Sequence, residues 1–411
     1  GDTVYIDGGT DSLVYNLTSV YFIKTNGTNS DYIVWTRGKD AGHNGTPVIT
    51  TSTALQSFYL SGASYTEVSY LKFRPAASST RRDNLYLANC IHIDIKHNEF
   101  NWTYGTAVTG NPNSYIRILN NYFVSEALSE ADAANAIGNP DPIRLSLSYA
   151  VEIAYNEFHA RSRTTFDRGF SKDIIQLPYH NLSGGPIPSK IHNNFVTLDM
   201  SGSDCSTDIL TIQNGGGSIW FYNNIIVAYK TATHIFQMFR WPGGTVEEVY
   251  YSSSPYQSLH AYNNTIILSK GKHYFNQHTY FRAIDTVAFK NNVIYFEESR
   301  FFTFESGHPM PYLAFNNNQY ETASSNFIEV RGVTYTYANW KKTFSQDVNS
   351  DNNGFTLLDD DFATLSVNAK DYQLAEGSSG INEGTDLSSY FTNDYQDTVR
   401  TDTWDTGAFE R

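Results

Sequence analysis

Three short phrases in this 411-residue chain put a carboxylate at the head of an apolar run: Asp141 in "DPIRL", Asp173 in "DIIQL" and Asp208 in "DILTI". A fourth phrase, "HIFQM", puts His234 at the same place. The residues two and four positions on are apolar (Ile143 and Leu145, Ile175 and Leu177, Leu210 and Ile212), so a strand would turn them inward. Arg144, Gln176, Thr211 and Gln237 then form an outward row on the same face. On neighbouring rungs of one sheet the carboxylates would lie about 5 Å apart. Like charges that close need a proton, a cation or a basic side chain between them. Three chemistries follow. Asp141, Asp173 and Asp208 could bind Ca2+, a hard cation held by carboxylate oxygens, beside an acidic substrate. Arg144, Lys172 or His234 would then serve as neutraliser or base. Two of the aspartates could instead be the acid and base of a glycoside hydrolysis, their separation setting retention or inversion. The third role is structural: each Asp accepts backbone N–H groups at the turn entering its strand. Asp83 in "DNLYL" shares the register and fits that role.

Around this row lie residues suited to holding an anionic chain. "HARSRTTFDRGFSK" gathers Arg161, Arg163, Arg168 and Lys172 immediately before Asp173, in a chain of net charge −14. Arginine forks match carboxylate and sulfate groups bidentately. After His234 comes "FRWPGGTVEEVYYSSSPYQS", where Arg240 and Trp241 offer a charge and a ring face for a sugar. Tyr179 follows the Asp173 strand on the same side. Arg161, Arg163, Arg168, Gln176, Tyr179, Gln237, Arg240 and Trp241 are therefore the expected binding residues. Solvated loops with local ion pairs are the plainer account of the same runs.

What positions these residues is a repeat. "IDIKHNEF", "IRILNNYF", "VEIAYNEF", "SKIHNNFV", "SIWFYNNI", "SLHAYNNT", "TVAFKNNV" and "YLAFNNNQ" share an alternating apolar strand ending in asparagine. The first asparagine of each is Asn98, Asn120, Asn156, Asn193, Asn223, Asn263, Asn291 and Asn316, at gaps of 22 to 40 residues. A fixed core with variable spacers means one coil per copy and loops of different length. Long amphipathic helical periodicity is missing between copies, which argues against a βαβ fold. The expected fold is all-β: a single-domain right-handed parallel β-helix, a solenoid with terminal caps and an internal asparagine ladder. Asparagine suits a sharp corner because it accepts the left-handed backbone. The expected divisions are 1–50 for the N-terminal cap and first coil, 51–349 for the coils, and 350–411 for a connection and closing cap.

"GDTVYIDGGT", with the following "YFIKTNGTNSDYIVWTRG", resembles the N-terminal cap and first coil of secreted β-helix polysaccharide lyases of the pectate lyase, chondroitinase-B-like and alginate-lyase-like families. "KDYQLAEGSSGINEGTDL…DTGAFER" resembles the closing segment of secreted bacterial β-helix proteins. The catalytic Lys and Arg phrases of the lyases and the paired-Asp and Gly-His-Gly phrases of polygalacturonases are absent, so no catalytic residue is carried over. The resemblance implies a secreted protein, extracellular or periplasmic, whose partner is a polysaccharide. The net negative charge argues against nucleic acid as a partner, and no run of 18 apolar residues suggests a membrane span. Gly1-Asp2-Thr3 shows no signal peptide. Cys90 and Cys205 form neither a disulfide framework nor a metal motif. The expected function is cleavage of an acidic, uronate-containing or sulfated polysaccharide by β-elimination. The alternatives are a glycoside hydrolase using two of the aspartates, and a non-catalytic adhesin or tailspike-like module.

Overall fold

The structure, a computed structural model, describes residues 1–411 except 52–55, 75–82, 103–104, 126–140, 162–172, 182–186, 200–205, 214–215, 230–231, 240–256, 270–274, 278–283, 298–299, 305–309, 360–364 and 402. Its contacts group into two compact units, Gly1–Asn181 with Gly202–Ile212, and Leu182–Ser201 with Gln213–Arg411.

In the first unit every coil adds one strand to each of three parallel sheets. Sheet A holds β1 (Thr3–Ile6), β4 (Ile33–Arg37), β7 (Ser64–Ser69), β10 (Cys90–Lys96), β13 (Asn113–Leu119) and β16 (Glu152–Ala154). Sheet B holds β2 (Val14–Leu17), β5 (Val48–Thr51), β8 (Lys72–Phe73), β11 (Glu99–Asn101), β14 (Tyr122–Ser125) and β17 (Glu157–Arg161). Sheet C holds β3 (Tyr21–Ile23), β6 (Gln56–Ser61), β9 (Asp83–Ala88), β12 (Val108–Gly110), β15 (Ile143–Leu145), β18 (Ile175–Gln176) and β21 (Ser206–Gln213). This is a parallel β-helix. Its interior is lined by alternate residues of each strand. Phe73, Phe100, Phe123 and Phe158 stack on successive rungs at 4.9, 5.1 and 4.6 Å between ring centroids. Cys90 is a free, buried thiol of the same core.

The second unit repeats the plan. Sheet A holds β19 (Ser189–His192), β22 (Gly217–Tyr222), β25 (Gln257–Tyr262), β28 (Ile284–Lys290) and β31 (Tyr312–Asn316). Sheet B holds β20 (Phe195–Asp199), β23 (Ile225–Tyr229), β26 (Thr265–Ser269), β29 (Val293–Phe296) and β32 (Gln319–Thr322). Sheet C holds β24 (Ala232–Phe239), β27 (Phe275–Gln277), β30 (Phe302–Phe304), β33 (Ile328–Val330) and an antiparallel β34 (Val333–Tyr335). Helix α1 (Tyr337–Phe344) follows, started by the Thr336 hydroxyl accepting the Asn339 amide.

From β7 onward the corner between sheets A and B is two residues long, and the two do different work. The first has a left-handed backbone: Tyr70, His97, Asn120 and Tyr155 in one unit, Asn193, Asn223, Asn263, Asn291 and Asn317 in the other, with φ between 50° and 57°. The second is buried: Leu71 in the first of these corners, then an asparagine in every later one, which builds the ladder. Asn98 donates its N–H and Nδ2 to Asn121 Oδ1, and Asn121 does the same to Asn156. Asn194, Asn224, Asn264, Asn292 and Asn318 repeat the pattern. Each amide also satisfies a strand carbonyl, as Asn224 Nδ2 does with Ile191 O at 2.9 Å. The expected ladder of first asparagines is thus corrected. Asn98 and Asn156 belong to it, whereas Asn120, Asn193, Asn223, Asn263 and Asn291 hold the strained corner, and Asn316 ends β31.

In the second unit Leu357, Leu374 and Phe409 cover Phe195, Ile225, Val227 and Ile267 of sheet B, and Leu387 and Trp404 pack with Tyr222 and Tyr262 of sheet A. Strands buried on both faces read as continuous apolar runs, which accounts for "IIVAY" at β23. In the first unit the outward residues of sheet B are polar or half-exposed: Lys72, Glu99, Tyr122 and Glu157.

Candidate functional site

The register of sheet C in the first unit brings the predicted row together. Ile143 pairs with Ile175 and Ile175 with Leu210, while Arg144 pairs with Gln176 and Gln176 with Thr211. Asp141, Asp173 and Asp208, each two residues ahead, occupy one register position on successive rungs. Asp83 and Thr106 share it through the pairing of Leu85 with Val108 and Val108 with Ile143.

The aspartates point away from solvent: Asp141, Asp173 and Asp208 are 2%, 3% and 1% exposed. Asp141 Oδ1 accepts the Asp173 amide at 3.1 Å, and Asp208 Oδ2 accepts the Thr211 hydroxyl at 3.2 Å. Asp83 Oδ1 accepts the Thr106 amide at 3.1 Å, the same bond two steps earlier in the column. Backbone N–H groups entering a strand need such acceptors. Among the described residues no group of three or more His, Cys, Asp or Glu side chains is placed to hold a metal ion. Ca2+ takes about six to eight oxygens, and Asp141 Oδ1 and Asp208 Oδ2 are each engaged with a protein donor, the Asp173 amide and the Thr211 hydroxyl.

The outward side of the sheet is different. Phe22, Tyr59, Tyr86, Thr109, Arg144, Gln176 and Thr211 follow one another in register. The first three are an aromatic stack, with Phe22 to Tyr59 at 5.1 Å and Tyr59 to Tyr86 at 4.9 Å between centroids. Phe22 is 60% exposed and Arg144 half-buried, whereas Thr211 is buried. Gln176 is 8% exposed, and its Oε1 has no hydrogen-bond partner among the described residues. An orphaned buried acceptor is unusual and wants a donor. Burial pushes the Tyr86 phenol above its ordinary range, with Tyr59 and Asp83 adding to the effect, so Tyr86 stays a neutral ring near neutral pH.

The remaining predicted residues are placed as follows. Tyr179 lies in the turn after β18 with a left-handed backbone, φ 53°. Its neighbour His180 is fully buried, and that burial drops its imidazole pKa to about 4. Arg161 ends β17 on sheet B and is exposed. His234 and Gln237 lie on β24 of the second unit, both half-buried. Arg163, Arg168, Lys172, Arg240 and Trp241 lie outside the described residues. Phe22, Tyr59 and Tyr86 escaped the sequence reading. Their signal is an aromatic at the second position of "YFI" and the fourth of "QSFYLS" and "DNLYLA", which aligns only once the coils are stacked.

Among the described residues no helix is long and apolar enough to cross a membrane. No family model matches the chain, and no curated protein matches it. Among solved structures it is similar to pectate lyase Pel9A, at 15% identity over 100% of this chain and 85% of that one, with a TM-score of 0.41. It is also similar to a mannuronic-acid-specific polysaccharide family 6 lyase from human gut microbiota, at 11% identity over 77% of this chain and 82% of that one, TM-score 0.32. A PL6-family alginate lyase is similar at 11% identity over 94% of this chain and 56% of that one, TM-score 0.35.

Proposed function

We propose that this protein is a secreted enzyme that cleaves an acidic polysaccharide by β-elimination on the outward face of sheet C in the first unit. The observation that carries the reading is the row itself: the aromatic stack of Phe22, Tyr59 and Tyr86 is followed in register by Thr109 and then Arg144. Aromatic faces receive the apolar faces of sugar rings. Arginine pairs bidentately with a carboxylate and stays cationic while doing so. In the reaction a base removes the proton at C5 of a uronate. The electron pair becomes the C4=C5 double bond, and the C4–O bond to the leaving sugar breaks, its oxygen taking a proton. Arg144 opposes the charge that builds on the uronate carboxylate as the proton leaves. Lys172, which directly precedes Asp173 in sequence, is our choice for the base, with Arg161, Arg163, Arg168, Arg240 and Trp241 as further contacts to the chain. The buried aspartates act as positioning residues that hold the rungs in register. No step is routed through Ca2+.

The test is a panel of uronate polymers followed by the ultraviolet absorbance of an unsaturated uronate, with reducing ends measured in parallel. The expected result is absorbing product from one of them, and loss of at least a hundredfold in kcat/KM, about 3 kcal/mol, for Arg144→Ala. Reducing ends without absorbance would make the protein a hydrolase, and binding without cleavage an adhesin. Activity that survives both Arg144→Ala and EDTA would move the site off this face.

A further inference from the structure

The corner between sheets A and B serves different ends in the two units. In the second unit its first position is asparagine on five successive coils. Asn193, Asn223, Asn263, Asn291 and Asn317 each donate Nδ2 to a main-chain carbonyl of the C-terminal segment, at 2.7 to 2.9 Å, those of Asp394, Asn393, Asp405, Thr385 and Glu383 respectively. At this corner main-chain carbonyls of the C-terminal segment are held rung by rung. In the first unit the same position carries Tyr70, His97, Asn120 and Tyr155, and these line an open groove of about 490 Å³.

The groove has the parts of a sugar site. Tyr70 and His97 are stacked, their centroids 4.8 Å apart with planes within 14°. The Arg37 guanidinium lies 5.2 Å from the Tyr70 centroid. Asn120 is the one short side chain in the column, so a notch one rung deep opens between His97 and Tyr155. Those two rungs are about 10 Å apart, room for one pyranose between two flat side chains. Beside the corner, Tyr122 is 41% exposed, and Glu99 and Glu157 also line the groove. Glu99 is paired with Lys72 and lies 3.7 Å from Arg74, and exposed Glu157 lies 3.4 Å from His159. The Glu99 charge is balanced by Lys72, whereas exposed Glu157 at the rim accepts hydrogen bonds from hydroxyls and repels uronates. Three of the four corner residues lack the amide that grips main-chain carbonyls in the second unit, so a polypeptide is the poorer fit.

We infer that the corner groove of the first unit is a second saccharide-binding site, for a neutral, hydroxyl-rich glycan, apart from the outward face of sheet C. It would hold the protein to a neutral polymer while the other face works on an acidic one.

Affinity electrophoresis tests this directly, in native gels containing glucomannan, xylan, mixed-linkage β-glucan or alginate. Retardation by at least one neutral polymer is expected, weakened about fivefold by Tyr155→Ala and by Tyr122→Ala, the loss of one ring contact each. Tyr122 is an exposed strand residue, so its removal leaves folding intact, which a thermal melt checks. Arg144→Ala should leave the neutral retardation unchanged, and Tyr122→Ala should leave uronate cleavage unchanged. No retardation by any of the three neutral polymers overturns the inference. So does retardation that survives both tyrosine substitutions or that vanishes with Arg144→Ala.

Discussion

Asp141 tests geometry against charge. Asparagine at that position keeps an oxygen for the Asp173 amide, whereas alanine leaves that amide without its acceptor. We expect Asp141→Asn to retain most activity and stability, and Asp141→Ala to lose about 1–3 kcal/mol in urea melts. Stable but inactive Asp141→Asn enzyme would return the carboxylate to the chemistry. His180 sets a second residue-level expectation. Its folded pKa is about 4 and the ordinary value 6.5. Between these the unfolded chain binds a proton that the native state refuses. Its contribution is therefore present above pH 6.5 and is lost as pH falls toward 4, by roughly 3 kcal/mol in all. Urea melts at pH 7 and pH 5 measure the loss, and His180→Leu should remove that part of the slope.

At the scale of elements, the two-residue corner separates neighbours that look alike in sequence. Asn121 is a ladder rung and Asn120 a left-handed corner. Asn121→Ala removes the acceptor of two Asn98 donors and should cost roughly 3 kcal/mol. Asn120→Gly relieves a backbone that favours glycine and should be neutral or stabilising by up to about 1 kcal/mol. Equal losses from both would mean the corner positions are interchangeable. The C-terminal segment of the second unit depends on Arg400, 5% exposed, which donates to Asn223 Oδ1, to the carbonyls of Gly407 and Ala408, and to Glu410 at 2.9 Å. Arg400→Met leaves these acceptors and the Glu410 charge without their partner. A loss of about 3–5 kcal/mol is expected in the melt. At the far end of the second ladder Asp347 closes the stack, accepting from Asn318, Trp340 and Ser350.

At the scale of the whole molecule, the net charge of −14 opposes an anionic polymer at long range, while the Arg144 contact is short-range. Raising salt from about 10 mM to 150 mM shortens the Debye length from roughly 30 Å to 8 Å and screens the first more than the second. KM for a uronate polymer should fall over that range, and a steady rise would show that attraction by the basic residues dominates. The repeat, the parallel coils and the aspartate row were legible in the sequence because strand alternation and a repeated turn are local patterns, printed once per coil. Which asparagine of each pair faces inward was not, since corner and ladder favour the same residue for different reasons: a left-handed backbone and a stackable amide. Nor could the sequence show that Asp141 and Asp208 are sealed from solvent, that Phe22, Tyr59 and Tyr86 meet on one face, or that the corner grips a chain in one unit and opens as a groove in the other. Those facts rest on contacts between coils and between a coil and the C-terminal segment, over separations of 23 to 202 residues. Only packing decides which outward positions are covered. By itself the sequence determined the rung, and the tertiary structure decided which side of each rung meets water.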